Sequence, residues 1–291
     1  MKIASDWKDY KILATGNSEK LEDWNGVTLL RPDPQILWPS SSDLTGHKGL
    51  HARYVRESTG GGRWKNLQKM PEEWDISYKD LTFKLKPMGF KHTGLFPEQA
   101  VNWDSMRDIV RKNKAHYDQP IRVLNLFAYT GGATVALAKE GAFVTHVDAA
   151  KGMVDRAKLN CSLSGVGERS VRWIVDDCKK FILREQKRGQ TYDAILMDPP
   201  SYGRGPDGSV FKLEESLFEL VALAGELLSD KPLFFLLNSY TTGLGAAVMQ
   251  NVLNICITKK RGGMVEAYEL CLPTEESGVV LPCGNSAFWT V

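Results

Sequence analysis

The feature that most constrains the fold of this chain is a regular alternation of strand-like and helix-like segments after residue 120. Five short segments, rich in the apolar and β-branched residues typical of buried strands, occupy 121–127, 143–147, 171–175, 192–197 and 233–237. A helical pattern follows each of them, at 131–140, 152–164, 179–187, 213–228 and 245–257. This alternation predicts an α/β fold with a doubly wound, mostly parallel sheet.

The two ends of the chain differ from this pattern. Apolar segments 265–271 and 287–291 are joined without a clear helix, which predicts an antiparallel edge and a sheet of seven strands. Before residue 115, Gly, Pro and Trp are scattered among short strand-like segments, such as 27–30 and 81–85. We therefore expect a small β-rich N-terminal region at 1–97. A larger α/β domain at 98–291 would begin with a helix. Glycine-rich stretches at 59–62 and 203–208 have the composition of loops. We expect the second to control access to a binding site or to recognise the substrate bound there.

Composition excludes several protein classes. The chain has 291 residues, 43% of them hydrophobic and 25% charged, which are values typical of soluble globular proteins. No stretch of 18 apolar residues occurs and the N-terminus turns polar at once, so we expect neither a membrane span nor a secretory signal. The five cysteines form no Cys-x-x-Cys pair and the five histidines show no metal spacing. These features predict a cytoplasmic protein with free thiols and no metal.

The net charge of +2 leaves nucleic-acid binding to local patches. Three basic clusters are candidates: Lys84, Lys86 and Lys91; the basic residues of 179–188; and those of 259–261. Runs of charge on helices are more often solvated faces than binding sites. The clusters therefore favour RNA only slightly over a small molecule or a protein as substrate.

The first predicted strand of the α/β domain leads into a glycine turn at 127–132. In such sheets ligands bind at the carboxyl ends of the strands, and the following helix N-terminus presents free N–H groups to an anion. Phe127 and Tyr129 stand where a dinucleotide fingerprint has glycines, which disfavours NAD and suits a ligand with one carboxylate. A plain turn with a glycine pair is the alternative.

Acidic residues end the next two predicted strands. Asp148 lies about 20 residues beyond the glycine turn, the distance at which an acid accepts hydrogen bonds from ribose hydroxyls. A helix N-cap is its alternative. After the third strand, Asp177 is favoured over Asp176 for an adenine amine, with the N–H of Cys178 offered to the ring. We expect the other acid, Asp176, to cap the helix that follows.

The most specific motif is Asp198-Pro199-Pro200-Ser201-Tyr202 at the end of the fourth strand. The prolines lack N–H donors and keep the backbone extended, so carbonyl groups project with few competing donors. Asp198 can hold a cationic amine or accept from an exocyclic NH2 group. An ordinary proline turn explains Asp-Pro alone, but much less readily the whole motif at this place.

These motifs resemble class I S-adenosylmethionine-dependent methyltransferases and, more narrowly, the ribosomal RNA large subunit methyltransferase I and K group. The matching segments are 31–35, 92–99, 123–132 and 198–202, and the resemblance covers most of the chain. It implies a Rossmann-like fold with S-adenosylmethionine as cofactor. An RNA-binding module that often precedes these enzymes is not evident in the short N-terminal region.

The resemblance also implies a role for each strand end. The first turn would wrap the methionine part of the cofactor, the acid after the second strand would take the ribose, and the third strand end would flank the adenine. The turn at 93–99 would close the site from the N-terminal side. Implied cofactor contacts are Thr93, Gly94, Phe96, Gln99, Asn125, Phe127, Ala128, Tyr129, Thr130, Gly131, Asp148, Asp177, Cys178 and Asp198. Implied catalytic residues are Asp198, Pro199, Pro200, Ser201 and Tyr202.

The implied chemistry is direct displacement at a sulfonium methyl group. Methylation of cytosine C5 needs a cysteine nucleophile, which related enzymes carry after the prolines or at the end of the fifth strand. Here those places hold Ser201 and Asn238-Ser239-Tyr240, so we expect a nitrogen of a ribosomal RNA base as acceptor. The alternatives are a small-molecule methyltransferase, a non-catalytic RNA- or nucleotide-binding protein, and an NAD-dependent oxidoreductase.

Overall fold

The computed structural model describes residues 1–57, 61–89, 91–204, 210–276 and 278–291, with Arg204 described by its backbone alone. These residues form two compact units. The N-terminal unit comprises Lys2–Val101 and Cys271–Cys283, and the larger unit comprises Asn102–Leu270, Gly284–Val291 and Met1. The domain division predicted at 97/98 lies four residues before the change of unit at 101/102.

The described part of the N-terminal unit consists mainly of β-structure. Strands β2 to β6 form one sheet in that order, with β4 and β5 parallel and the other neighbours antiparallel, and β7 and β8 form a separate hairpin. The strands are β1 (Lys2–Ile3), β2 (Tyr10–Gly16), β3 (Glu19–Trp24), β4 (Val27–Pro32), β5 (Leu50–Arg56), β6 (Gly62–Asn66), β7 (Trp74–Tyr78) and β8 (Leu81–Leu85).

Sequence patterning identified only β4 and β8 among these strands, and β3 illustrates the reason. Its inward positions include Lys20 and Glu22, so the expected apolar–polar alternation is absent. The charges are tolerated because Glu22 accepts hydrogen bonds from Arg31 Nε at 2.6 Å and from Tyr10 Oη at 2.7 Å, while Lys20 lies 3.2 Å from Asp33. These partners come from other strands or loops, which local patterning cannot reveal.

The larger unit contains the predicted alternation. A 3-10 turn at Pro97–Gln99 precedes the first helix, and a π-helical segment at Asn254–Thr258 joins the last two. Its helices are α1 (Ala100–Asn113), α2 (Gly132–Lys139), α3 (Lys151–Leu163), α4 (Cys178–Lys187), α5 (Leu213–Gly225), α6 (Ala246–Leu253) and α7 (Lys259–Arg261). Its strands are β9 (Arg122–Leu126), β10 (Phe143–Asp148), β11 (Val171–Val175), β12 (Ala194–Met197), β13 (Tyr202–Arg204), β14 (Val210–Lys212), β15 (Phe234–Ser239), β16 (Met264–Pro273) and β17 (Val280–Thr290).

The main sheet has the order β1-β16-β17-β15-β12-β9-β10-β11. Strands β9 to β12 and β15 are parallel, and β17 is antiparallel to β15, so the mostly parallel, doubly wound sheet with an antiparallel edge is confirmed. Seven of the strands are those predicted, and the two-residue β1 adds an eighth. Since β9 is flanked by β10 on one side and β12 on the other, the chain reverses its direction of winding at β9.

A buried apolar cluster holds this sheet and its helices together. Ile195 and Phe235 of neighbouring strands pack in one cluster with Phe181 of α4, Leu217 of α5 and Leu253 of α6. Burial of each such side chain stabilises the fold by about 1.5–3 kcal/mol. None of the helices in the described ranges combines the length and the apolar character that a membrane span requires.

The hairpin of β13 and β14 was not predicted. Tyr202 pairs with Lys212 and Gly203 with Phe211, so the start of the glycine-rich stretch at 203–208 is a strand. Three-residue strands are too short to show a periodic pattern. The remainder of that stretch, 205–208, lies outside the described residues, as do positions 59 and 60 of the stretch at 59–62.

Candidate functional site at the strand ends

The reversal of winding at β9 creates a crevice at the carboxyl ends of β9, β10 and β12. Val147 of β10 and Met197 of β12 both lie level with Leu126 of β9. Beyond this level the pairing continues, because the N–H of Asp198 donates to the carbonyl of Leu126 at 3.4 Å. Ligands of open α/β sheets bind at such a switch point. The glycine turn and the Asp-Pro-Pro motif therefore meet at this crevice.

The turn after β9 has an unusual backbone. Phe127, Tyr129 and Gly131 have φ values of +55°, +51° and +83°. The left-handed region costs a residue with a Cβ about 1–2 kcal/mol, so this turn persists only because its surroundings hold it. Strained backbone of this kind concentrates at functional sites.

Neighbouring strand ends supply part of that support. The N–H of Phe127 donates to Cys178 Sγ at 3.2 Å, and the N–H of Ala128 donates to the carbonyl of Val147 at 3.1 Å. Burial raises the pKa of the Cys178 thiol well above its usual value, so this sulfur remains protonated and acts as a small buried contact. The backbone donors of these two residues are therefore used within the protein.

Helix α3 fixes the other half of the turn. Asn160 Nδ2 donates to the carbonyl of Thr130 at 2.8 Å within the core. A Cβ on Gly131 would lie 2.7 Å from Cβ of Ala157, so only glycine permits this approach of helix and turn. Sequence analysis missed Asn160, although an asparagine among the inward positions of an amphipathic helix is a signal of a buried hydrogen bond.

Asp148 connects the end of β10 to the same turn. Its Oδ2 accepts from the N–H of Tyr129 and its Oδ1 from the N–H of Ala150, both at 2.8 Å. Burial raises the pKa of Asp148, against the opposing effect of these two N–H groups. Helix α3 has Ala150 at its N-cap, so the alternative interpretation of Asp148 as the N-cap is wrong. Each carboxylate oxygen retains capacity to accept a further hydrogen bond.

The two acids after β11 have local partners. Asp177 is the N-cap of α4, where its Oδ1 accepts from the N–H of Lys180 at 2.8 Å. Asp176 accepts from the N–H of Asp177 at 2.8 Å and pairs with Arg184. The acid favoured for adenine is thus the helix cap. Its contact with adenine stays a prediction, since a capping carboxylate still has free acceptor positions.

Asn125 is part of a polar network inside the sheet. Its Nδ2 donates to Thr134 Oγ1 at 2.9 Å, and Thr134 Oγ1 lies 2.9 Å from Nδ1 of His146. Burial lowers the pKa of His146 to about 3, so the ring is neutral. The network supports β9, β10 and α2 from within, and the contact of Asn125 with a cofactor stays a prediction.

The Asp-Pro-Pro motif continues into the end of β15. Asp198 is half-buried, Pro199 is buried and Pro200 is exposed. Ser201 Oγ accepts a hydrogen bond from Thr241 Oγ1 at 2.7 Å, which links the motif to the residues after β15. Tyr202, in β13, is half-exposed. Sequence analysis missed Thr241, whose partner is distant in the chain.

Asn238, at the end of β15, is held in place by hydrogen bonds from buried side chains. Its Oδ1 accepts from Asn102 Nδ2 at 3.1 Å and from Ser286 Oγ at 2.6 Å. The hydroxyl of Tyr268 donates to Asn102 Oδ1 at 2.6 Å. This buried cluster positions the carboxyl end of β15 through side chains from α1, β16 and β17.

The turn at 93–99 belongs to the N-terminal unit. Thr93 is buried and its Oγ1 has no hydrogen-bond partner among the described residues, whereas Gly94 has a φ of +97°. Gln99 is buried, and the ring of Phe96 lies 5.4 Å from that of His92. Contacts of these residues with a cofactor stay predictions.

Most of the predicted basic clusters are neutralised by nearby carboxylates. Lys84 lies 2.6 Å from Asp75, and Lys179 lies 2.7 Å from Glu219. Further pairs are Lys86–Glu73, Arg184–Asp176, Arg188–Glu185 and Lys260–Glu226. Such clusters attract a polyanion weakly. The described residues contain no group of three or more His, Cys, Asp or Glu side chains placed to hold a metal ion.

This chain is similar to known proteins in both sequence and structure. Residues 23–231 match the family model described as S-adenosylmethionine-dependent methyltransferase. A solved structure, the SAM-dependent methyltransferase from Agrobacterium tumefaciens, is 34% identical, with a TM-score of 0.90 over 98% of this chain and 91% of that one.

Curated relatives match a shorter part of the chain. Ribosomal RNA large subunit methyltransferase K/L from Shewanella baltica is 28% identical over 67% of this chain and 27% of the relative. The protein of the same name from Magnetococcus marinus is 32% identical over 63% of this chain and 24% of the relative. The matched segment thus spans about a quarter of the length of these relatives.

Proposed function

Since this chain belongs to the S-adenosylmethionine-dependent methyltransferase family, we propose that it methylates a nitrogen of a ribosomal RNA base. The enzyme class and the cofactor follow from the family. The acceptor and the residues that handle it are the proposal.

The residues at the strand ends fit S-adenosylmethionine. Asp148 keeps acceptor capacity on both carboxylate oxygens, which suits the two hydroxyls of a ribose. Phe127 and Tyr129 leave no cradle of glycines for a pyrophosphate. When bound, S-adenosylmethionine would supply a methyl carbon attached to a positively charged sulfur: a nitrogen lone pair would form a bond to that carbon as the carbon–sulfur bond breaks, and the sulfur would leave as a neutral thioether.

We assign the acceptor to the Asp-Pro-Pro motif. Asp198 accepts a hydrogen bond from the amine of the base, which orients the nitrogen lone pair, and takes up the proton that the nitrogen releases. The rigid backbone at Pro199 and Pro200 keeps neighbouring carbonyls available to the same amine. Ser201, held by Thr241, aligns this segment with the end of β15.

The observation that carries the choice of nitrogen is that the two segments where C5-methylating relatives carry a cysteine have none in this sequence. The motif after β12 has Ser201, and the segment after β15 begins Tyr240-Thr241. Cys178 is buried, hydrogen-bonded to the N–H of Phe127 and protonated, so it is unsuited to attack a pyrimidine ring. A nitrogen acceptor needs no covalent activation of the base.

The names of the curated relatives support ribosomal RNA as the substrate class. The test is incubation of the purified protein with methyl-labelled S-adenosylmethionine and protein-free large-subunit ribosomal RNA, followed by mass mapping of the product. We expect one base methylated on nitrogen. A product at cytosine C5 would contradict the assignment of the atom, and RNA left without label by protein that binds S-adenosylmethionine would favour the small-molecule alternative.

A further inference from the structure

The N-terminal unit has a groove that is separate from the candidate site at the strand ends. We call it the hairpin groove. It encloses about 490 Å³ beside the antiparallel pair β5–β6, and its lining includes Thr45, Arg53, Val55, Arg63, Lys65 and Leu67. The register pairs Arg53 with Lys65 and Val55 with Arg63. Since side chains alternate along a strand, these four positions share one face of the hairpin.

The segment around the groove is the most basic part of the chain. Residues 45–69 contain six lysines and arginines and one acidic residue, a net charge of +5, whereas the whole chain has +2. The other residues together therefore carry a net charge of −3. The net charge of the whole chain conceals this difference between the segment and the other residues, so the segment was not among the basic clusters predicted from the sequence.

The cations of the groove differ in how far they are neutralised. Arg53 makes two hydrogen bonds to Glu19, each 3.0 Å long. Arg63 is 82% exposed and lies 3.9 Å from Glu57, a long pair that water screens. Lys65 makes no ion pair with any residue that the structure describes. Arg63 and Lys65 are thus available to an anion, in contrast to most of the basic clusters identified from the sequence.

We propose that the hairpin groove binds the phosphodiester backbone of a single-stranded segment of the RNA substrate. This inference rests on the proposed function. Arg63 and Lys65 contact phosphates, and the exposed side chains of Val55 and Leu67 give an apolar wall for ribose. The described lining contains no aromatic side chain on which a base would stack, so the contact is independent of sequence.

The test compares two double variants that each remove two positive charges from exposed side chains. Arg63→Gln with Lys65→Gln alters the groove, and Lys259→Gln with Lys260→Gln is the control in the larger unit. The probe is a fluorescent oligouridylate of about 20 nucleotides, long enough to cover several phosphate contacts. Its Kd is measured over a salt series, and calorimetry with S-adenosylmethionine checks that cofactor binding is intact.

We expect the groove variant to bind the probe roughly tenfold more weakly at low salt. The slope of log Kd against log salt should fall by about 1.4, because each phosphate contact on a single strand contributes about 0.7. The control should change Kd less than about twofold, since Lys260 is already paired with Glu226. Equal losses in both variants would show an effect of net charge alone and overturn the proposal.

Two further outcomes separate this inference from the proposed function. If the wild-type protein methylates ribosomal RNA while the groove variant keeps wild-type affinity and slope, the groove proposal is overturned and the function stands. If the variant loses binding to the assembled ribosomal particle but not to protein-free RNA, the groove contacts a protein, which also overturns it. A wild-type protein that transfers methyl groups to no RNA contradicts the proposed function itself.

Discussion

At the scale of single residues, Asp148 has two tasks that depend on the same carboxylate. It supports the strained turn through the N–H of Tyr129, and in the proposed function it also accepts hydrogen bonds from the ribose hydroxyls of the cofactor. Both tasks require the ionised form, because a protonated carboxyl has less acceptor capacity. Burial raises its pKa, so the ionised form is lost at a higher pH than for an ordinary aspartate.

We therefore expect the KM for S-adenosylmethionine to rise as the pH falls, beginning above the usual range of aspartate. Asp148→Asn should raise this KM at neutral pH by roughly 10- to 100-fold, since a hydrogen bond to a charged group is worth about 1.5–3 kcal/mol. It should also remove the pH dependence. Steady-state kinetics from pH 5 to 8 give the measurement, with the exposed Asp155→Asn as control. An unchanged pH profile in Asp148→Asn would contradict this account.

Asp198 is expected to act on the acceptor. Asp198→Asn should lower kcat by roughly 10²- to 10⁴-fold, because proton uptake by a positioned carboxylate contributes about that much. Ser201→Ala should retain activity within a few fold, since Ser201 only aligns the segment. Single-turnover methylation of RNA measures both variants. Turnover near that of the wild type in Asp198→Asn would disprove the assignment.

At the scale of elements, the turn between β9 and α2 is sensitive to substitution because it packs closely against α3. Gly131 and Gly141 both have positive φ, at +83° and +102°. A Cβ at Gly131 meets Ala157 at 2.7 Å, whereas one at Gly141 has no heavy atom within 4 Å. Alanine substitutions at these two glycines therefore distinguish the cost of backbone strain, which both would have, from the cost of overpacking, which only Gly131 would have.

Gly141→Ala should reduce the free energy of unfolding by about 1 kcal/mol through backbone strain. Gly131→Ala should cost about 1–3 kcal/mol more through overpacking and should weaken S-adenosylmethionine binding. Urea unfolding and calorimetry measure the two effects. Equal destabilisation by both substitutions would show that helix α3 moves away without cost.

Some elements were predictable and others were not, for reasons visible in particular residues. Strand β11 has the predicted bounds, and helices α1 to α6 begin within about two residues of their predicted starts, because apolar spacing is a local signal. Among the site residues, the strand-end acids were found at the sheet edge where they were expected. Asn160 and Thr241 were missed, since each is defined by a partner about 30 or more residues away.

At the scale of the whole molecule, the N-terminal unit depends on buried charge for its stability. Burial opposes ionisation of Glu22, but Arg31 and Lys20 outweigh it and lower the pKa of Glu22 to about 2. A carboxyl with a lowered pKa stabilises the folded state above its unfolded pKa of about 4.3. This stabilisation is lost as the pH falls from there to about 2.

Glu22→Gln should reduce the free energy of unfolding at pH 7 by about 3–5 kcal/mol, because Arg31 would stay buried without its counterion. The difference from the wild type should shrink between pH 4.5 and pH 2. Glu19→Gln, which removes a partly exposed partner of Arg53, is the control and should cost less than about 1 kcal/mol. Denaturant unfolding followed at several pH values checks both. A difference that is constant with pH would contradict the argument.

Patterns along the chain were enough to predict the alternation of strands and helices in the main sheet, its antiparallel edge and the strand ends that carry the candidate site residues. These follow from periodicity, from proline and glycine chemistry and from the rule that ligands bind at the carboxyl ends of parallel strands. The tertiary structure was needed to show that Asp177 caps a helix, that Asp148 hydrogen-bonds to a turn and that Glu22 is buried. The physical reason is that a polar side chain takes its role from the donors and counterions brought to it by distant parts of the chain.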